Sequence, residues 1–311
     1  MSVLSCHSCP YVQGSDVTLT LTNTQVVGAK ILDVKARTLS CVMTVLLTSS
    51  SEVYILKLYD RRFSEQLRRD ENAAVWDSQL DRRYRDFVRA GHSSRLFELW
   101  SAAFREDQYY EDEQRDRWDE AIFETYLQFL CQQAYEMETH AYNLLHDLQG
   151  ICIPMLYESV TLPEESQDTD NHRSNTYLRC PGLILQYIKG FPLTDLATEL
   201  QCERWQETCE KAIKIIHQVG DHGVCNKDVK TRSFIVQIHP GRDLNEIFMI
   251  DFGFCVFRDS AKSDCEFREW QADQDEEGAI GCVMERLLNG GYKYQRSDRG
   301  SQLLREFKSE H

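Results

Sequence analysis

The chain has 311 residues, enough for one large domain or two smaller cores, and 42% of them are hydrophobic, which excludes a largely disordered chain. No run of about 18 apolar residues exists to span a membrane, and the first ten residues lack the basic start and apolar stretch of a signal peptide. A formal net charge of −15 argues against a nucleic-acid backbone as partner, so any polyphosphate ligand needs a locally positive pocket and a metal.

The twelve cysteines have no regular spacing. Without a secretory signal they are expected as free thiols in a reducing, intracellular compartment, cytoplasmic with the nucleus left open. Cys6-His7-Ser8-Cys9 has the spacing of half a zinc site, but no second ligand pair follows, and the spacing is set aside as coincidence.

In chain order, residues 1–15 are expected as a tail. Residues 16–58 predict strands, with Val17, Leu19 and Leu21 alternating and β-branched residues concentrated in 41–47 and 53–58. Turns are expected at Asn23, Gly28 and 49–51. Residues 60 to about 130 change character: seven arginines from Arg61 to Arg85 and many acids, with Trp76, Phe87, Phe97 and Trp100 as periodic anchors, predict charged, partly exposed inserted helices. A long helix is expected from about Trp118 to Leu148, stopped by Gly150, then two strands within 151–188 separated by a polar loop at 163–174. Residues 203–219 predict a helix, 234–238 and 247–250 two short strands linked by 239–243, and 275–288 a last clear helix ended by Gly290-Gly291. The strand-rich beginning and helical remainder predict an α+β chain of two lobes divided near Lys189.

Four charged residues carry chemistry. Lys57 sits among apolar neighbours on a predicted strand; a compact ammonium suits a phosphate oxygen, while a snorkelling edge-strand lysine is the plain alternative. Glu138 shares a helical stripe with Ala134, Ala141, Leu145 and Leu148, and a carboxylate there is costly unless paired. Lys57 is the expected partner, since unit charges at ~4 Å gain about 4 kcal/mol at an effective dielectric near 20. Asp228 lies just before an apolar strand and Asp251 just after one, followed by Phe252-Gly253. Loop acids held by rigid strands suit phosphoryl transfer, one orienting a hydroxyl and one holding a metal on the phosphates.

With Lys57, Glu138, Asn226-Lys227-Asp228-Val229-Lys230-Thr231-Arg232-Ser233 and Asp251-Phe252-Gly253 in this order, the chain resembles the eukaryotic protein-kinase-like superfamily, and most of all the divergent single-domain kinase-like proteins of fungi. The resemblance covers roughly residues 16–291. It implies a bilobal fold with an antiparallel-sheet N-lobe over 16–188, interrupted by the insertion at about 60–130, and a shortened helical C-lobe over 189–311. It implies ATP and Mg2+ as cofactors, with Lys57, Glu138, Leu185, Gln186 and Ile188 at the nucleotide, Leu185 as gatekeeper, Asp228 and Lys230 in catalysis, and Asp251 and Ser233 on the metal. Glu276 stands where the family's central helix has an aspartate. The implied activity is transfer of the γ-phosphate to a hydroxyl, of a protein Ser/Thr or a small metabolite, with the 60–130 insertion a possible surface for a protein partner.

The departures define the alternative. No G-x-G-x-x-G joins the first strands, Asn226 replaces the catalytic-loop histidine, Ser233 replaces the asparagine that ligates the second magnesium, and no A-P-E follows Gly253. A pseudokinase serving as a binding or regulatory module is the second reading, and an unrelated α+β binding protein with coincidental motifs the third.

Overall fold

The computed structural model describes residues 9–106, 110, 112–163, 176–239 and 245–310. The Cys6–Ser8 part of the discarded zinc motif, most of the loop expected at 163–174 and residues 240–243 of the linker expected at 239–243 lie outside the described residues. The chain is α+β with antiparallel sheets, in two compact units: Met1–Tyr135 with Tyr157–Leu185, and Glu136–Leu156 with Gln186–His311. Among the described residues, no helix is long and apolar enough to cross a membrane.

In the first unit, β1 (Asp16–Leu21), β2 (Val26–Arg37), β3 (Cys41–Leu47), β4 (Val53–Leu58), β5 (Leu156–Thr161) and β6 (Pro181–Gln186) form a closed barrel in the order β1-β2-β3-β4-β6-β5. The strand with Lys57 and the strand with Leu185 are neighbours in one sheet, as expected. One antiparallel sheet was expected, and this one closes into a barrel where Thr20 and Leu21 of β1 pair with Thr161 and Val160 of β5. The twelve-residue β2 supplies the bend: its pairing with β3 shifts register between Ile31 and Asp33 and again between Val34 and Ala36, and such bulges curve a sheet. Gly28, expected in a turn, instead lies inside β2 opposite Thr18, because the β1–β2 turn has already closed at residues 22–25. Leu19, Ile31, Met43, Val45, Leu56 and Leu58 fill the core.

The inserted helices are α1 (Glu65–Asp70), α2 (Ser78–Arg89) and α3 (His92–Glu106). Asp77 starts α2 by accepting the N–H groups of Gln79 and Leu80 at 2.8 and 2.7 Å. Trp100 of α3 packs with Tyr126 and Phe129 of the 25-residue α4 (Glu120–Leu144) in an aromatic cluster. Charged, partly exposed helices were expected here, and several of the charges are buried. Arg61, Arg68, Asp81 and Glu124 are buried: Glu124 binds Arg61 on one oxygen and Arg68 at 2.5 Å on the other, while Asp81 takes Arg61 at 2.7 Å and Arg85 at 2.6 Å. Burial raises the Asp81 carboxyl, but Arg61 and Arg85 outweigh it and hold the group at about 2.

The second unit contains β7 (Phe191–Pro192), β8 (Val224–Asn226), β9 (Phe234–Ile238), β10 (Asn245–Met249) and β11 (Cys255–Phe257), in sheets ordered β10-β9-β7 and β11-β8. Its helices are α5 (Leu196–Glu199), α6 (Trp205–Asp221), α7 (Asp264–Gln274), α8 (Glu276–Leu287) and α9 (Asp298–Glu310). The helix expected last is therefore followed by another. Whereas the sequence reading kept 16–188 together, the segment Glu136–Leu156 belongs to this unit. Tyr142 of α4 meets Phe252 edge-on with centroids 5.6 Å apart, and Met249 N–H donates to Cys152 O at 2.8 Å. Gly150 turns the chain after α4 at φ 74°, a conformation that costs glycine little.

The buried carboxylate yields a prediction. Glu124→Gln leaves two buried guanidinium groups short of a counter-charge and lowers stability by about 3–5 kcal/mol in urea unfolding. Glu120→Gln, which breaks a half-exposed pair with Arg83, changes stability by less than about 1 kcal/mol. Equal losses in the two variants contradict the assignment of a buried ionic core.

Candidate functional site

The described chemistry of the second unit gathers where β9 and β10 end. Phe234 pairs with Met249, and one step further Ile250 N–H donates to Ser233 O at 2.8 Å, so the ladder carries Asp251 out beside Ser233. Asp251 is exposed and sits at φ 71°, a left-handed conformation uncommon for a residue with a Cβ, though aspartate adopts it more readily than most. The next residue, Phe252, is fully buried and anchors the turn.

Asn226 sets the geometry around it. It has no solvent exposure, and its backbone N–H and both polar atoms of its side chain are engaged. Its Nδ2 donates to Asp251 O at 2.9 Å, its Oδ1 accepts Asp228 N–H at 2.9 Å, and its own N–H donates to Glu276 Oε1 at 3.0 Å. Asp228 and Lys230 pair with each other and stay partly exposed. Ser233 is buried, its N–H donating to Lys230 O at 2.9 Å, which fixes the turn that carries both. The second unit thus brings Asp228, Lys230, Ser233 and Asp251 into one hydrogen-bonded set.

Three acids at the start of α8 brace that set. Asp275, at φ 43°, ends α7, accepts Gly278 N–H and takes Arg296 on both oxygens. Glu277 accepts from His217 at 2.9 Å and from Ser297 N–H and Oγ at 2.7 and 2.6 Å; burial alone raises its carboxyl, but these donors hold it at about 2. Glu276 has the opposite balance. Burial raises its carboxyl to about 7, and the Asn226 N–H offsets only part of that.

Of the remaining expected residues, Lys57 lies on β4 in the first unit, 7% exposed, with Nζ 5.6 Å from the centre of the Tyr59 ring. Gly182 of β6 lets the strands meet there, since a Cβ would stand 2.7 Å from Lys57 O. Leu185 is buried at the end of the first unit. In the second unit Glu138 is 1% exposed on α4. Gln186 is locked on Met155, donating its N–H to Met155 O at 2.9 Å and accepting Met155 N–H at 3.1 Å, and Ile188 is buried.

The sequence reading passed over Tyr142, one turn beyond Glu138 on α4. Its hydroxyl is buried and has no hydrogen-bond partner among the described residues. Burial, then the charges of Glu138 and Asp251, push it well above the usual phenol range. The i, i+4 spacing from Glu138 was the available signal. As for a metal, the described residues contain no cluster of three His, Cys, Asp or Glu ligands. The donors present are oxygens: the Asp251 carboxylate and the Ser233 and Tyr142 hydroxyls. Oxygen donors are the ligand type magnesium takes, one or two carboxylates with waters and substrate phosphates.

Compared with protein-family models and with curated proteins, the chain matches none.

The raised Glu276 carboxyl predicts a pH dependence. A carboxyl at about 7 in the fold, against its ordinary 4.5, binds its proton more tightly folded than unfolded. The stability this gives is complete below the unfolded value and is lost as pH rises through about 7. Glu276→Gln keeps the acceptor for Asn226 N–H and cannot ionise. Between about pH 5 and pH 8 the variant therefore gains on the parent by on the order of 2 kcal/mol in thermal unfolding. A difference independent of pH contradicts this.

Proposed function

We propose that the protein is an ATP-dependent phosphotransferase with a protein-kinase-like bilobal fold, moving the γ-phosphate to a hydroxyl of a protein Ser/Thr or a small metabolite. The observation that carries the reading is Asp251, held at a left-handed φ by the Asn226 amide and presented beside Asp228, Lys230 and Ser233. Asp228 orients the accepting hydroxyl, and Lys230 neutralises charge on the transferring group. Asp251, with Ser233, holds magnesium, which when bound neutralises the phosphates. Lys57, Glu138, Leu185 and the backbone of Gln186 and Ile188 are the residues this reading assigns to the nucleotide. The inserted helices of the first unit are the surface for a protein partner. The described cysteines, most of them buried thiols, suit a reducing cytoplasm.

One observation favours the second reading, a pseudokinase acting as a binding module. The β1–β2 turn has no glycine, and its amides are already used: Thr24 N–H donates to Leu21 O at 2.9 Å and Gln25 N–H to Asn23 Oδ1 at 3.0 Å. Few backbone donors are left there to cover a triphosphate.

ATP affinity with and without magnesium, and ATP turnover, separate the readings. Asp251→Ala abolishes magnesium-dependent ATP binding. Asp228→Ala keeps binding and lowers turnover by about 10²–10⁴. Ser233→Asn, which offers a longer carbonyl ligand, keeps or raises activity, and Ser233→Ala lowers it. A parent without magnesium-dependent binding, together with no gain in Ser233→Asn, leaves the binding module.

A further inference from the structure

The first unit contains a cavity of about 770 Å3, lined entirely by its own residues. Its size is that of a small-molecule site. In a chain of net charge −15 its lining carries four arginines, Arg61, Arg62, Arg85 and Arg179, against three aspartates, Asp16, Asp60 and Asp81.

Most of these charges form a floor. Asp60 is 2% exposed and accepts Tyr11 Oη at 2.6 Å and the Nε and Nη2 of Arg62 at 2.9 Å each. Asp81 is buried between Arg61 and Arg85. Two donors are left over. Arg62 has five N–H bonds and uses only Nε and Nη2, so its Nη1 has no partner among the described residues. Arg179 is exposed, and its guanidinium has no partner among the described residues; only its backbone carbonyl is engaged, by Gln128 Nε2 at 2.8 Å. One wall is aromatic: Phe63 and Trp76 lie 5.3 Å apart, and the Arg62 guanidinium is 5.4 and 5.9 Å from their ring centres.

We propose that this pocket binds a small ring-bearing phosphate monoester, its phosphate on Arg62 Nη1 and Arg179 and its ring against Trp76 and Phe63. A phosphate monoester carries nearly two negative charges at neutral pH and offers three acceptor oxygens, which two separate guanidinium groups can share. The aromatic wall, its two rings inclined at 60°, favours a ring edge or face over an aliphatic chain. This site is distinct from the residues assigned to phosphoryl transfer and does not rest on that reading.

The probe is phenyl phosphate, titrated calorimetrically into the full chain beside inorganic phosphate and phenol. The expected result is saturable binding of phenyl phosphate, with each fragment at least about tenfold weaker. Arg179→Gln alters an exposed side chain that nothing in the fold depends on, and it weakens binding about tenfold; Trp76→Ala does the same. Asp251→Ala leaves the affinity unchanged, which separates this pocket from the phosphotransferase residues. Absence of saturable binding overturns the proposal, as does an affinity unmoved by Arg179→Gln and Trp76→Ala. Loss of binding in Asp251→Ala overturns it too, because the probe then occupies the other site. Inorganic phosphate binding as tightly as phenyl phosphate removes the ring from the assignment.

Discussion

Asn226 has one backbone N–H and one side-chain amide, and in the buried heart of the second unit these three polar groups reach three different elements. An unpaired amide in that setting costs about 1–3 kcal/mol per group, so the three partners are held as firmly as the packing around them. Glu276 ties Asn226 to α8, and α8 is fixed by the Asp275–Arg296 and Glu277–His217–Ser297 contacts. What Asn226 passes on is the position of the Asp228 amide and of the Asp251 carbonyl. The strained backbone of Asp251 persists because this amide and the buried Phe252 hold it from either side.

The first unit is organised by charge in another way. Six ionised groups, Asp60, Arg61, Arg62, Arg68, Asp81 and Glu124, are buried or nearly so and paired among themselves. Each member is expensive to bury and is tolerated because its partners are fixed, so the network links α1, α2 and α4 in a unique arrangement. Asp60, Arg61, Arg62 and Asp81 of this network also line the cavity of the first unit.

Much of this was legible in the sequence, and the limits have physical causes. The strands 41–47, 53–58 and 234–238 stood out through their β-branched residues, and Gly150 and Gly290 marked helix ends that the structure gives at φ 74° and 92°. The helices α7 and α9 were missed because their sequences are polar and carry few apolar anchors. Closure of the barrel was invisible because bulges in β2 depend on pairing, not on residue type. Which charges of the partly exposed helices are buried was not legible, since burial of Arg61 and Arg68 follows from a partner as distant in sequence as Glu124. Asp228, Lys230, Ser233 and Asp251 were legible as a group; for Tyr142 the sequence offered only its i, i+4 spacing from Glu138, which does not show that its hydroxyl is left without a partner among the described residues.

The account stands most directly on Asn226. Asn226→Ala removes the amide that donates to Asp251 and accepts from Asp228 while leaving the backbone N–H to Glu276 in place. The measurement is magnesium-dependent ATP affinity in that variant beside the parent, at a temperature where circular dichroism shows both folded. The account predicts that the variant is folded but binds at least about tenfold more weakly, a loss of about 1.4 kcal/mol, because Asp251 is no longer held. A folded Asn226→Ala variant with the parent's magnesium-dependent affinity contradicts it.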